Sequence, residues 1–232
     1  MDSRNFIALV LSYAYVLGLL AVAETLRKKL GASGDCTRKI VHIGVGMWSI
    51  ATVMLFTSWK WGLVPPVTFV FLNYLSYRFE LVKAIETAER ANLGTVFFPI
   101  SVALLLGWLW RPGTPGDKGF VAVAGLMAMT WGDAMASIVG RRYGTRKYRF
   151  FGHTRSMEGT LAMFIASSVS IALVLHFMGG VDFHPAVAIA MIGGTAAAAI
   201  EAVSPYGSDN LFVPIVTALV VYVLVESLSP VH

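Results

Sequence analysis

Charge is what this chain has least of. Only 13% of its 232 residues are Asp, Glu, Lys or Arg, while 56% are hydrophobic; an ordinary soluble domain carries about a quarter charged residues. The shortage excludes a water-solvated globule and makes lipid the solvent for most of the chain. Cysteine is nearly absent: Cys36 stands alone, which excludes an internal disulfide. His153, His176, His184 and His232 show no metal-ligand spacing, so no zinc site is expected. A Walker A loop is also missing. Lys+Arg number 18 against 13 Asp+Glu. No nucleic-acid recognition motif accompanies that excess, so it reads as inner-face loops and anionic head groups rather than DNA or RNA.

What is present is a series of apolar segments at about 6–23, 40–57, 61–77, 94–110, 119–140, 157–178, 184–203 and 211–228. Eighteen helical residues rise roughly 27 Å, close to the bilayer core. The expected fold is therefore all-α, a polytopic membrane bundle of about 7–8 transmembrane helices in a single transmembrane domain spanning 1–232. Pro65-Pro66 should kink or break the third segment. The Gly/Ala-rich 184–203 should pack tightly between neighbours. Residues 78–93 read as an amphipathic helix lying along the inner membrane surface. Ala21-Val22-Ala23 resembles a signal-peptidase site, but cleavage would leave Arg27-Lys28-Lys29 outside, so 6–23 is expected to be a retained helix.

With the N-terminus outside, the inner loops 24–39, 78–93, 141–156 and 204–210 hold 14 of the 18 Lys and Arg residues. Positive residues belong inside, which sets the orientation. Four separate parts of the sequence then place polar residues at the inner face, and a random scatter would not.

Asp133 lies in an apolar span about two turns, or roughly 10 Å, before Gly140. A carboxylate there needs a metal ion, an arginine or a proton, or else it makes an interhelical bond. Gly140-Arg141-Arg142-Tyr143-Gly144 and the basic loop to Arg155 offer forks that match phosphate, or a head-group patch and topology signal. Ser156 at a helix start can cap exposed N–H groups where an anion is favoured. Glu158 beside those cations either holds them in place or ligates Mg²⁺, which takes one or two carboxylates plus substrate phosphates. His42 shares a helix face with Arg38 and Lys39; it is a donor to phosphate, a base, or an interfacial side chain. Glu201 and the turn Ser204–Asn210 carry acids on the same side.

Taken in order, these blocks resemble the polyprenol kinase family of phytol kinases, dolichol kinases and the CTP-dependent diacylglycerol kinase. The blocks are Arg38-Lys39-Ile40-Val41-His42, Gly94-Thr95-Val96-Phe97-Phe98-Pro99, Gly132-Asp133 with Ala136, Gly140-Arg141 and Gly144, then Ser156-Met157-Glu158-Gly159-Thr160, Glu201, and Asp209-Asn210 with Pro214. The resemblance covers about residues 35–220, leaving 6–23 as an extra helix, and is greatest to the phytol-kinase branch. It implies transfer of the γ-phosphoryl group of CTP, or UTP, to a lipid alcohol with a divalent cation such as Mg²⁺. Its nucleotide-binding set would include Arg38, Lys39, Gly140, Arg141, Arg142, Gly144 and Lys147. Arg155, Ser156, Gly159, Thr160 and Asn210 complete that set. Asp133, Glu158, Asp209 and Glu201 are the implied metal ligands, and Asp133, Glu158 or His42 would orient the hydroxyl. Many members carry Lys where this chain has Arg155, and the two are not interchangeable at a phosphate.

The expected activity is thus CTP-dependent phosphorylation of an isoprenoid alcohol drawn laterally from the bilayer. A diacylglycerol kinase or a cytidylyltransferase forming a CDP-lipid would use the same parts. An ion-coupled transporter would need polar groups running on to the outer face, where the segments are almost wholly apolar.

Overall fold

The eight apolar segments become eight long helices in the computed structural model, which describes residues 2–79, 93–150 and 153–228. The helices are α1 (Ser3–Leu30), α2 (Gly34–Leu55), a single turn α3 (Trp59–Gly62), α4 (Val64–Phe79), α5 (Gly94–Leu109), α6 (Gly119–Tyr143), α7 (Met157–Phe177), α8 (Phe183–Val203) and α9 (Asp209–Leu228). Five of them, α1, α6, α7, α8 and α9, are long and apolar enough to cross a membrane by length and composition.

Three local expectations are adjusted. The first helix runs past Ala23 to Leu30, carrying Arg27, Lys28 and Lys29 in its last turn, where cations suit the negative helix end. The segment 61–77 is not one helix. It breaks at Leu63, and Pro65 and Pro66 enter the first turn of α4, where a missing N–H costs least. The basic stretch 141–156 is not a plain loop: Lys147–Phe150 (β1) pairs antiparallel with His153–Ser156 (β2). The amphipathic helix expected near 78–93 falls, for 80–92, outside the described residues.

The helices group into two compact units, Met1–Gly119 and Phe120–His232. In the first, α1 and α2 run antiparallel. Tyr15 stacks on Trp48 with ring centroids 4.4 Å apart and donates to the Gly44 carbonyl at 3.0 Å. Trp48 donates to Ser12 at 3.0 Å. Arg4 closes one end of this pair by donating to the Leu55 and Met54 carbonyls at the last turn of α2. Such hydrogen bonds matter because lipid offers helix surfaces no hydrophobic reason to associate.

The second unit holds α6 to α9, each antiparallel to the next. Small residues bring the backbones together. Ser167 of α7 donates to the Ala128 carbonyl of α6 at 2.9 Å. At Gly125, a β-carbon would meet the Pro214 carbonyl of α9 at 2.5 Å and Ala218 at 2.8 Å. The Gly/Ala-rich α8 packs along both α7 and α9, as its composition predicts. Because the helices alternate, the end of α6, the start of α7, the end of α8 and the start of α9 all lie at one end of the unit. Replacing Gly194 by Leu drives a side chain into Ser168 Oγ and the Phe164 carbonyl of α7. It should cost about 1–3 kcal/mol, read as a lower melting temperature in detergent.

Candidate active site

The end of α6 and the start of α7 approach closely enough to crowd any β-carbon. A β-carbon on Gly159 would lie 3.0 Å from the Ala136 carbonyl and 3.3 Å from Gly140 Cα; one on Gly144 would strike the Gly140 carbonyl and Ser156 Oγ. Gly140, Gly144 and Gly159 thus close around Ser156, and all four expected residues meet. Ser156 is the N-cap of α7, its Oγ accepting from Gly159 N at 3.1 Å. The glycines serve first to seat this crossing.

Between the two helix ends sits the hairpin. Its register pairs Tyr148 with Arg155 and Phe150 with His153, so these four share one face. That face docks. Tyr148 hydroxyl is 2.6 Å from Thr160 Oγ1, the His153 ring meets Tyr206 edge-on at 4.7 Å, and Arg155 reaches the α8–α9 turn. Lys147 and Arg149 fall on the other face and are exposed, as are Arg141 and Arg142 at the end of α6.

Glu158 stands in the first turn of α7. Its Oε1 accepts from Thr145 Oγ1 at 2.6 Å and from Arg146 N at 3.2 Å. The carboxylate thereby pins the turn that leads into the hairpin, a use of Glu158 among the cations that the sequence allows for.

Arg155 makes the densest polar contacts of the region. Its Nη1 pairs with Glu201 Oε1. Its Nη2 donates to the Ser204 carbonyl at 3.0 Å and lies 3.4 Å from Asp209 Oδ2. Glu201 is 3% exposed and Asp209 9%. The other Asp209 oxygen accepts from Asn210 N at 2.9 Å and Asn210 Nδ2 at 3.0 Å.

Asp133 is half-buried in α6, about two turns before Gly140 and nearly three from the helix end at Tyr143. The α6–α9 contact at Gly125 sets its level: about eight residues along α6, and about as many back along α9, stand Asp133 and Asp209. Along the helices Asp133 is roughly 12 Å and Asp209 roughly 8–14 Å from that contact, so the two carboxylates lie at similar depth. The structure thus collects Asp133, Glu158, Glu201, Asp209, Asn210 and the loop cations at one end of the second unit. Arg38, Lys39 and His42 belong to the first unit. There Arg38 pairs with Asp35 at 3.0 Å, and the His42 ring packs on Phe98 with centroids 5.0 Å apart.

Sequence reasoning missed Thr145, Tyr148, His153 and Tyr206, which brace the hairpin and its neighbours. The signal was there: Lys147-Tyr148-Arg149-Phe150 alternates cation and aromatic with a period of two, the mark of a strand.

An acidic donor set at this end suits a hard cation. Asp133, Glu158 and Asp209 offer carboxylate oxygens of the kind Mg²⁺ prefers. Among the described residues no three His, Cys, Asp or Glu side chains group so as to hold an ion alone. An ion here would complete its shell with phosphate and water.

Comparison with known proteins finds a phytol kinase of Synechocystis sp. that is 34% identical over 221 residues, covering 94% of this chain and 91% of that one. A probable chloroplastic phytol kinase of Triticum aestivum is 27% identical over 94% of this chain and 76% of its own. Dolichol kinase of Homo sapiens is 28% identical over 63% of this chain and 30% of its own. No family model matches the chain. No solved structure matches it either.

Ser156→Ala should remove the α7 cap and lower stability by about 1 kcal/mol, with Ser156→Asp keeping most of it, as read by thermal unfolding of the purified protein.

Proposed function

The chain belongs to the polyprenol kinase family, and we propose that it transfers the γ-phosphoryl group of CTP to an isoprenoid alcohol of the phytol or polyprenol type. It is an integral membrane lipid-alcohol kinase. The observation that carries the finer reading is the meeting of exposed cations and carboxylates at one end of an otherwise apolar helix unit.

Phosphoryl transfer asks for positioning and charge neutralisation more than for covalent chemistry. In this reading Arg141, Arg142 and Lys147, exposed around the α6–α7 crossing, take the triphosphate oxygens. Arginine forks engage them bidentately.

Asp133 sits deeper than these cations, at the level where a membrane alcohol presents its hydroxyl while its tail stays in lipid. It accepts the hydroxyl proton as the alcohol oxygen bonds to the γ-phosphorus. The bond from that phosphorus to the β-bridging oxygen breaks, and CDP leaves. Mg²⁺, held by Asp133, Glu158 or Asp209, would neutralise triphosphate charge. The inner face of the membrane, where the chain's Lys- and Arg-rich loops are expected, is the proposed side of the reaction, with the N-terminus outside.

Purified protein given a lipid alcohol and CTP labelled at either the α or the γ position tests this. The γ label should appear in the lipid monophosphate with CDP released. Pyrophosphate release with the α label in lipid would instead identify a CDP-lipid synthase. Asp133→Asn should lower kcat by about a hundredfold or more while the protein still folds, as expected for a general base.

A further inference from the structure

We propose that Arg155 is a positioning residue and Glu201 its counter-ion, so that neither touches the nucleotide or the metal. This deepens the kinase reading and rests on it only for the kinetic half of its test.

The inference starts from the hairpin register. Arg155 shares a strand face with Tyr148 and His153; Tyr148 contacts Thr160, His153 contacts Tyr206, and Arg155 contacts Glu201, Asp209 and the Ser204 carbonyl. Lys147 and Arg149 take the opposite, exposed face. Two cations of the basic stretch are therefore presented outward while Arg155 is turned in.

Burial says why Arg155 must stay. Glu201 is 3% exposed at the inner end of α8, and a buried carboxylate that loses its cation is strongly destabilised. If Arg155 swung out to a triphosphate it would abandon Glu201 and release the Asp209 turn together. Two guanidinium nitrogens instead join three separate groups of the α8–α9 connection, a geometry that an ammonium point charge reproduces poorly. The clamp holds the start of α9, and so Asp209, against the hairpin. Glu201 is then spent on charge balance and Asp209 on Arg155 and Asn210, and metal binding falls to Asp133 and Glu158.

A double-mutant cycle tests this on full-length protein in detergent, reading apo melting temperature and steady-state kinetics. Arg155→Gln should lower the melting temperature and cut kcat about tenfold, with KM for CTP changed less than about threefold. Adding Glu201→Gln should restore most of the lost melting temperature and part of kcat. Glu201→Gln alone should leave the half-saturating Mg²⁺ concentration within about twofold. Should Arg155→Gln fail to fold, folding of the double variant supports the clamp in the same way, and failure of both overturns it. A rise of about tenfold in KM for CTP at unchanged melting temperature would make Arg155 a phosphate ligand and overturn the proposal. A comparable shift in Mg²⁺ dependence for Glu201→Gln would overturn its second half. If the wild-type protein shows no nucleotide-dependent transfer, the kinase reading fails, and the apo rescue still decides the clamp.

Discussion

Side chains would crowd the place where α6 crosses α7. The approach of Gly159 to Gly140 Cα and the Ala136 carbonyl, with Ser156 wedged beside Gly144, is the constraint from which the site follows. It forces the end of one membrane helix and the start of the next into contact, so the chain between them must leave as a short hairpin. That hairpin then carries a cation to each side: Arg155 inward to the α8–α9 turn, Lys147 and Arg149 outward. A bulkier crossing would separate the helix ends and with them the acids and bases.

The placement of polarity obeys a second rule. In hydrocarbon each polar group must find a partner inside the protein, and most of the buried hydroxyls here do so locally, as Thr130 does with the Leu126 carbonyl and Ser12 with Ala8. Ionised groups are handled differently. Those of the second unit stand at or within about three turns of the helix ends, Asp182 and Glu226 at one end and the rest at the other. Asp133 stands farthest from its own helix end, at a depth similar to Asp209.

The helices were legible because hydrophobic length is a long-range signal that no local detail can mask. Eight apolar stretches became eight long helices, and Pro65-Pro66 broke the third where expected. The hairpin was not read, since charge dominated the look of 141–156 and masked the two-residue alternation of Lys147–Phe150. Within the site, residue identity was easier to see than residue role. Gly140, Gly144 and Gly159 stood out as glycines suited to phosphate, whereas their first duty is close packing. Glu201 and Asp209 stood out as metal ligands, yet both face Arg155. Such pairings join residues about fifty positions apart, and neither spacing nor periodicity reports a contact of that range. The likeness to phytol and dolichol kinases supplied what composition could not, the class of reaction.

The account's central claim is that one end of the second helix unit receives the triphosphate. Photo-crosslinking with a CTP analogue bearing an azide on its γ-phosphate, followed by peptide mapping, tests it most directly. Labelled peptides should come from 133–160 and 201–210, and excess CTP should suppress them. Competable label confined to 178–182, at the opposite end of that unit, would contradict it.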